Sequence, residues 1–394
     1  MAPSPIYLDC AATTPVDPRV REAMRPFLEE EFGNAGSGTH DFGRRARRAA
    51  EHARDVVAAA VSAGRGDVVF TSGATESDNL AVLGLAAHGE RTGRRHIVTT
   101  TIEHSAVLGP VGELRRRGFA VTSLRPTPGG WVDPDAVAAA VRPDTLLVSV
   151  MHVNNETGVV QPIEAVAERL ADRPGVFLHV DAAQGFGKVP EPSPLRRPRV
   201  DLISLSGHKL FGPKGVGALV TRRRGGERPP LEPLMFGGGQ ERGLRPGTLP
   251  VHLIVGLGRA VELAMAEGPQ RLEACRRFRA RALEALAPLS PAVNGDPDRS
   301  VPHILNVSFP GVDAEAAMEA LAGVAAVSDG AACSTATKTC SHVLSAMGLP
   351  PDRTAGALRL SWCYITPEPD WDRFVSAVGQ VADLTIQRPV RSET

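Results

Sequence analysis

Lysine is scarce in this chain. Of 44 lysines and arginines, only Lys188, Lys209, Lys214 and Lys338 are lysines, and the other 40 are arginines. A lysine amine can lose its proton and form a Schiff base with a carbonyl compound, which a guanidinium cannot. Lys209 has the setting for such chemistry. It lies in Ser206-Gly207-His208-Lys209-Leu210-Phe211-Gly212-Pro213-Lys214-Gly215, directly after the apolar run Val200-Asp201-Leu202-Ile203-Ser204-Leu205. A buried strand there presents the amine at its carboxyl end, where open α/β sheets bind ligands. By itself the segment suits a surface lysine beside a glycine turn equally well.

Other polar groups sit at comparable places. Asp181 ends the run Val176-Phe177-Leu178-His179-Val180, where a carboxylate is poorly solvated and needs a cationic partner. The strand Asp67–Phe70 runs into Thr71-Ser72-Gly73-Ala74-Thr75-Glu76-Ser77-Asp78-Asn79. Small residues at a strand-to-helix turn make an anion site, because free N–H groups and the helix dipole face the incoming charge. Thr75 to Asp78 also has the spacing of a capping box. Neither a P-loop nor a G-x-G-x-x-G fingerprint occurs, and no metal-ligand spacing is found. His104, Asn155, Gln184, Ser206 and His208 complete the set of strand-end groups.

The elements that must position these groups alternate. Strands are expected over 67–70, 96–100, 120–124, 146–151, 176–180, 200–205 and 218–220. Helices are expected over 18–32, 41–63, from the 71–79 turn to about 88, 133–141, 162–171 and 251–267. Beyond residue 260 the alternation loosens. Helices over 268–287, 313–322, 341–347 and from Pro369, with strands at 304–309, 324–328 and 357–362, suggest a smaller α+β domain. The expected division is a large α/β domain, 15–260, with a mainly parallel sheet between helices. Residues 1–14 and 261–394 then form the small domain, which carries a cysteine-bearing loop.

Formal net charge is zero, so nothing global favours nucleic acid or an anionic membrane. The clusters Arg44–Arg48, Arg115–Arg117 and Arg222–Arg224 read as solvated faces and turns. No signal peptide and no apolar run of membrane-spanning length is found, and five cysteines without a C-x-x-C pair suit a cytoplasmic protein with reduced thiols.

One ligand would use the strand-end groups together. Pyridoxal phosphate needs an amine for its aldehyde, an anion cradle, a carboxylate for its pyridine nitrogen, a flat group against its ring and a donor to its phenolic oxygen. The motifs Leu8-Asp9-Cys10-Ala11-Ala12-Thr13-Thr14-Pro15, Thr71–Leu80, Met151-His152-Val153-Asn154-Asn155-Glu156-Thr157-Gly158, His179–Gln184 and Ser206–Lys209 resemble those of NifS/IscS-type cysteine desulfurases. These are class V aminotransferases of the fold-type I group, and the resemblance runs from about residue 6 to 366. It implies an aminotransferase-like large domain, with Lys209 as the Schiff-base lysine, Asp181 as the pyridinium partner and His104 as the stacking imidazole. Asn155 and Gln184 would lie near the phenolic oxygen, and Thr75, Ser206 and His208, with Ala74 beside them, near the phosphate. Thr248 would reach the phosphate of a neighbouring subunit in a homodimer. Asn34 and Arg359, with Asn155, would receive the substrate carboxylate.

Ser328-Asp329-Gly330-Ala331-Ala332-Cys333-Ser334-Thr335-Ala336 resembles the segment of these enzymes that carries the nucleophilic thiol. Residues 329–341 contain almost nothing large and apolar, so burial does not pin this loop. The resemblance implies that Cys333 takes the sulfur of L-cysteine as a persulfide, leaves L-alanine, and passes the sulfur to an acceptor protein. Iron–sulfur assembly, tRNA thiolation and DNA phosphorothioation all remain open as destinations. Cys10 and Cys275 read as structural, whereas Cys340 is close enough to Cys333 to pair with it. A plain class V aminotransferase, a selenocysteine lyase or a non-catalytic scaffold would share the cofactor site, and alanine at Cys333 separates the aminotransferase. Trp362-Cys363-Tyr364 departs from the related pattern, with a thiol and a phenol where small or basic residues are common.

Overall fold

The computed structural model describes residues 5–190, 193–330 and 341–386. After a two-residue strand, β1 (Ile6–Tyr7), seven strands build one sheet: β2 (Val68–Thr71), β3 (His96–Thr100), β4 (Ala120–Leu124), β5 (Thr145–Ser149), β6 (Phe177–Asp181), β7 (Leu202–Ser206) and β8 (Gly217–Thr221). Their order is β2-β8-β7-β6-β5-β3-β4. Only β8 runs against its neighbours, so the other six point their carboxyl ends to one edge. β6 and β7 are adjacent and pair Val180 with Ile203 and Asp181 with Ser204, so the strands that deliver Asp181 and Lys209 are neighbours.

Period-two alternation explains why these runs are apolar almost throughout. Ile203 and Leu205 enter one core while Leu202 enters the other, and Phe70 and Val69 divide in the same way. A parallel sheet covered on both faces needs both sets of side chains to be apolar. The edge strand β4 is half-exposed and carries Thr122 and Ser123.

β9 (Ala292–Val293), β10 (Ile304–Ser308), β11 (Ala325–Ala326) and β12 (Ala357–Ser361) follow; β12, β10 and β9 form an antiparallel sheet. β1 pairs with β11 in parallel, so the N-terminal strand joins the later part of the chain here. Leu8, Phe278, Leu305, Leu360, Trp362 and Phe374 share the core of this part. Among the described residues, no helix is long and apolar enough to cross a membrane.

Three expectations are corrected. Residues 18–32 form two short helices, Pro18–Met24 and Pro26–Glu29, because Pro26 cannot continue the first. The helices expected over 251–267 and 268–287 are a single one, Val251–Leu286, with Pro269 inside it. Its first half packs Ile254, Leu257 and Val261 into the large core and its second half packs Phe278 and Leu286 into the small one, and this burial overrides the Gly268-Pro269 break signal. Arg222 is not solvated. It is buried, and its guanidinium donates to the carbonyls of Leu195, Arg197, Val200 and Val61.

The glycine-rich stretch before Thr248 is likewise pinned from within. Glu241, in a left-handed backbone conformation, is buried against Arg54 of the Asp41–Ala60 helix. Two parallel 2.7 Å bonds join guanidinium and carboxylate, and the Phe70 N–H donates to the same carboxylate at 2.7 Å. Removing one partner of such a pair strands the other charge in the interior. Glu241→Ala is therefore expected to destabilise the protein by about 3–5 kcal/mol. Denaturant unfolding measures this, and a loss near zero would mean that the pair carries no weight.

Candidate active site

A cavity of about 520 Å³ opens where the parallel strands end. Ala74, Thr75, His104, Asn155, Asp181, Gln184, Ser206, His208, Lys209 and Arg359 all line it. Ten separately expected residues are thus brought together from six chain segments.

Lys209 ends a single helical turn after β7, and its amine donates to the carbonyls of Ala11 and Ala12 at 2.6 and 2.7 Å. Gln184 Nε2 donates to the same Ala11 carbonyl at 2.7 Å, leaving the buried Oε1 without a partner. His208 Nδ1 lies 3.1 Å from Thr13 Oγ1. Burial, then the charges of Lys209, Lys214 and Lys188, bring His208 down to about 4, so it hydrogen-bonds as a neutral ring.

The Ala74–Leu83 helix starts at the cavity, with Gly73 as its N-cap. Gly217 of β8 lets this turn approach, since a Cβ there would meet Gly73 Cα at 2.6 Å and Leu205 O at 2.4 Å. The capping-box expectation at Thr75–Asp78 is corrected. Thr75 lies in the first turn rather than at the cap, and Glu76 reaches back to accept from Ser72 N at 2.7 Å. Thr75 is therefore left among first-turn N–H groups, an arrangement suited to an anion.

His104 caps the Ser105–Arg116 helix and accepts from Ala106 N at 3.1 Å through Nδ1. Arg359 donates to Asp9 Oδ1 at 2.7 Å and to Asn155 O at 3.0 Å, while its buried Nε has no partner among the described residues. Trp362, Cys363 and Tyr364, which depart from the related pattern, line a different cavity with Cys10. Asn34 and Thr248 are exposed and do not line the cavity of this single chain. Cys333 and Cys340 lie outside the described residues.

Sequence reasoning missed a layer of buried acids beneath the cavity. Asp181 is buried, accepts from Ala183 N at 2.9 Å, and is pushed up to about 6 chiefly by burial. No ion pair to it is found among the described residues. Burial likewise raises Asp78 to about 7, Glu156 to about 7 and Glu103 to about 8. Asp78 lies 3.4 Å from His179 Nε2, whose ring also contacts Ser149 and Ser204. Glu103 accepts from Thr100 Oγ1 and Met151 N, and Glu156 from Ser341 Oγ. Acidic residues inside otherwise apolar or polar-loop motifs were the available signal.

These features fit pyridoxal phosphate. A buried carboxylate without a cation suits a protonated pyridine nitrogen, an open helix start suits a phosphate, and the orphaned Gln184 Oε1 and Arg359 Nε face unfilled hydrogen-bonding roles.

Comparison with known proteins points the same way. The family profile described as Aminotransferase class-V matches residues 6–374. Cysteine desulfurase IscS of Methylococcus capsulatus is 48% identical over 375 residues, covering 95% of this chain and 91% of that protein. The crystal structure of DndA from Streptomyces lividans is similar with a TM-score of 0.79 and 54% identity, covering 91% of this chain and 99% of that one. SspA in complex with cysteine gives a TM-score of 0.80 at 37% identity, covering 90% and 98%.

The acid layer has a measurable consequence. A carboxyl whose pKa is raised by folding holds a proton that the unfolded chain releases, so stability falls as pH rises from about 4 toward the folded value. Buried His152 and His179, lowered to about 4, act oppositely below about pH 6.5. Between pH 6.5 and 8 Asp78, Glu156 and Glu103 outweigh Cys363 and Lys188, whose lowered values act the other way. The cofactor-free protein should lose melting temperature across that window, and Glu103→Gln should recover on the order of 1 kcal/mol or more at its upper end. A melting temperature that rises from pH 6.5 to 8 would contradict this.

Proposed function

The chain belongs to the aminotransferase class-V family, among its pyridoxal-phosphate-dependent cysteine desulfurases, and from that membership we propose the roles of its residues in taking sulfur from L-cysteine. The observation that carries the reading is the convergence of Lys209, Asp181, His104 and an open helix start on one cavity.

When bound, the cofactor supplies an electron sink for negative charge developing at the substrate α-carbon. Lys209 would hold its aldehyde, and its Nζ would take the substrate α-proton. Asp181 would keep the pyridine nitrogen protonated. His104 would stack on its ring and relay protons through Nε2, because Nδ1 is engaged by Ala106 N–H. Ala74, Thr75, Ser206 and His208 would hold the phosphate, and Asn155 and Gln184 would serve the phenolic oxygen. Arg359, with Asn155 and Asn34, receives the substrate carboxylate.

Cys333 is the nucleophile. Its thiolate attacks the substrate sulfur, an S–S bond forms and the C–S bond breaks. The electron pair stays on the carbon fragment, which gains a proton and leaves as alanine. An acceptor protein then takes the sulfane sulfur. The related DndA and IscS carry the names of different systems, so the acceptor is identified by copurification with tagged protein.

The same reading assigns residues 15–260 to a large domain and 1–14 with 261–394 to a small one. The pairing of β1 with β11 supports this, and the Val251–Leu286 helix spans the boundary. It also assigns a homodimer in which Thr248 completes the partner's phosphate site.

Purified protein is expected to be yellow and to form alanine and sulfide from L-cysteine. Lys209→Ala should lose the yellow absorption and all turnover. Cys333→Ala should keep the colour and lose sulfide release, and a Cys333→Ala protein that still releases sulfide would overturn the choice of nucleophile. Thr248→Glu should weaken phosphate binding by charge repulsion. Mixed with Lys209→Ala subunits it should regenerate about a quarter of wild-type activity through random pairing, because one site per heterodimer is then intact. No recovery in dimers shown to have exchanged would remove Thr248 from the partner's site.

A further inference from the structure

A second group of nucleophilic side chains lies apart from the cavity at Lys209. Cys10 and Cys363 pack together with Phe211 in a small buried cluster. The backbone fixes them there, since Cys10 N–H donates to Ser361 O at 3.0 Å and Ser361 N–H to Leu8 O at 2.7 Å. Each thiol is the first influence on the titration of the other. Thr366 Oγ1 also donates to Cys363 Sγ at 3.3 Å and accepts from Cys363 N at 2.9 Å.

Both thiols line a cavity of about 40 Å³ with Lys188, Cys275 and His303. That is room for two or three water-sized molecules. His303 is buried and its Nε2 has no partner among the described residues. The Lys188 amine has no hydrogen bond among the described residues. Burial brings it down to about 8, while the surrounding thiols pull it up. The two influence each other in opposite directions: Cys10 beside it moves Cys363 toward the thiolate, and Cys10 is raised. Cys363 is therefore the nucleophile of the two, with Lys188 as its cation and Cys10 as the resolving thiol. Cys275 packs in a different cluster from Cys10 and Cys363, and burial raises its thiol to about 12, so it is not the nucleophile.

We propose that Cys10 and Cys363 are a redox-active dithiol, which hydrogen peroxide entering the small cavity beside Lys188 converts into an intrachain disulfide. The Cys363 thiolate attacks one peroxide oxygen and the O–O bond breaks. The other oxygen takes a proton, which the Lys188 ammonium can supply, and leaves as water. Cys10 then attacks the sulfenic sulfur, the S–S bond forms, the S–O bond breaks, and the hydroxyl leaves as a second water. Two thiols lose two electrons and two protons, and the peroxide accepts both. The cross-link joins the segment whose Ala11 and Ala12 carbonyls hold Lys209 to the strand that carries Arg359. The chemistry stands independently of the sulfur-transfer reading.

The test uses the full-length holoenzyme, treated with hydrogen peroxide, alkylated and digested with trypsin without reduction. Peptides 1–19 and 360–373 each contain one cysteine. They are expected to appear linked and two hydrogens lighter than their sum, and to separate after phosphine reduction. The link should be absent in Cys363→Ser. Lys188→Met should slow its formation about tenfold at neutral pH. Complete alkylation of Cys10 and Cys363 after Cys333 has been oxidised, or a link from Cys10 to Cys275, would overturn the proposal. An unchanged rate in Lys188→Met would overturn the role given to Lys188.

Discussion

A carboxylate held at the end of a buried strand is the constraint on which this structure turns. Asp181 is largely shielded from water, and the groups that act on it among the described residues are Asp78, Glu103, His104 and His179 rather than a lysine or arginine side chain. The fold alone gives no reason for this, since burying an unpaired charge is among the largest penalties a core can carry. The arrangement becomes favourable when a cation arrives from outside. The protonated nitrogen of a pyridine ring would be such a cation, as the proposed role of Asp181 requires. Stability and cofactor binding are therefore coupled, because ligand that binds only the folded state adds its binding free energy to folding.

The amine is positioned by a different economy of contacts. Lys209 is held by two carbonyls of a segment that lies far from it in sequence, and Gln184 grips one of them as well. That segment belongs at its other end to the small sheet, through the β1–β11 pairing and the Asp9 bridge to Ser361. The same Asp9 pairs with Arg359. One stretch of chain thus touches both the lysine assigned to the cofactor and the arginine assigned to the substrate carboxylate, so a movement of the small sheet is felt at both.

Much of this was legible in the sequence because the signals were local. β3 and β4 fall where apolar alternation places them, and the adjacency of the Asp181 and Lys209 strands follows from their succession in an alternating α/β pattern. What escaped was non-local. Glu241 looks like an ordinary charge in a glycine-rich loop until Arg54, far away in the chain, closes on it, and Arg222 looks like one of three surface arginines until four carbonyls surround it. The Gly268-Pro269 break was outvoted by burial on both sides of it. Asp78 sat inside a motif that reads as a helix cap, and only the tertiary structure places its carboxylate against His179. Cys333 is assigned only through resemblance, because a run of small residues contains no core pattern from which to place a thiol.

The departures from the related pattern are informative for the same reason. Cys10 and Cys363 are unremarkable singly and far apart in sequence, and each reads as a small buried hydrophobe. They meet because the chain's first residues lie along β12, and that placement also puts them against Lys188. A lysine retained in an arginine-rich protein and set among thiols repeats, on a small scale, the logic of Lys209: in each place the amine sits where a charge must be held in a poorly solvated pocket and a proton exchanged. Arginine could hold the charge in either place. It could not give the proton back.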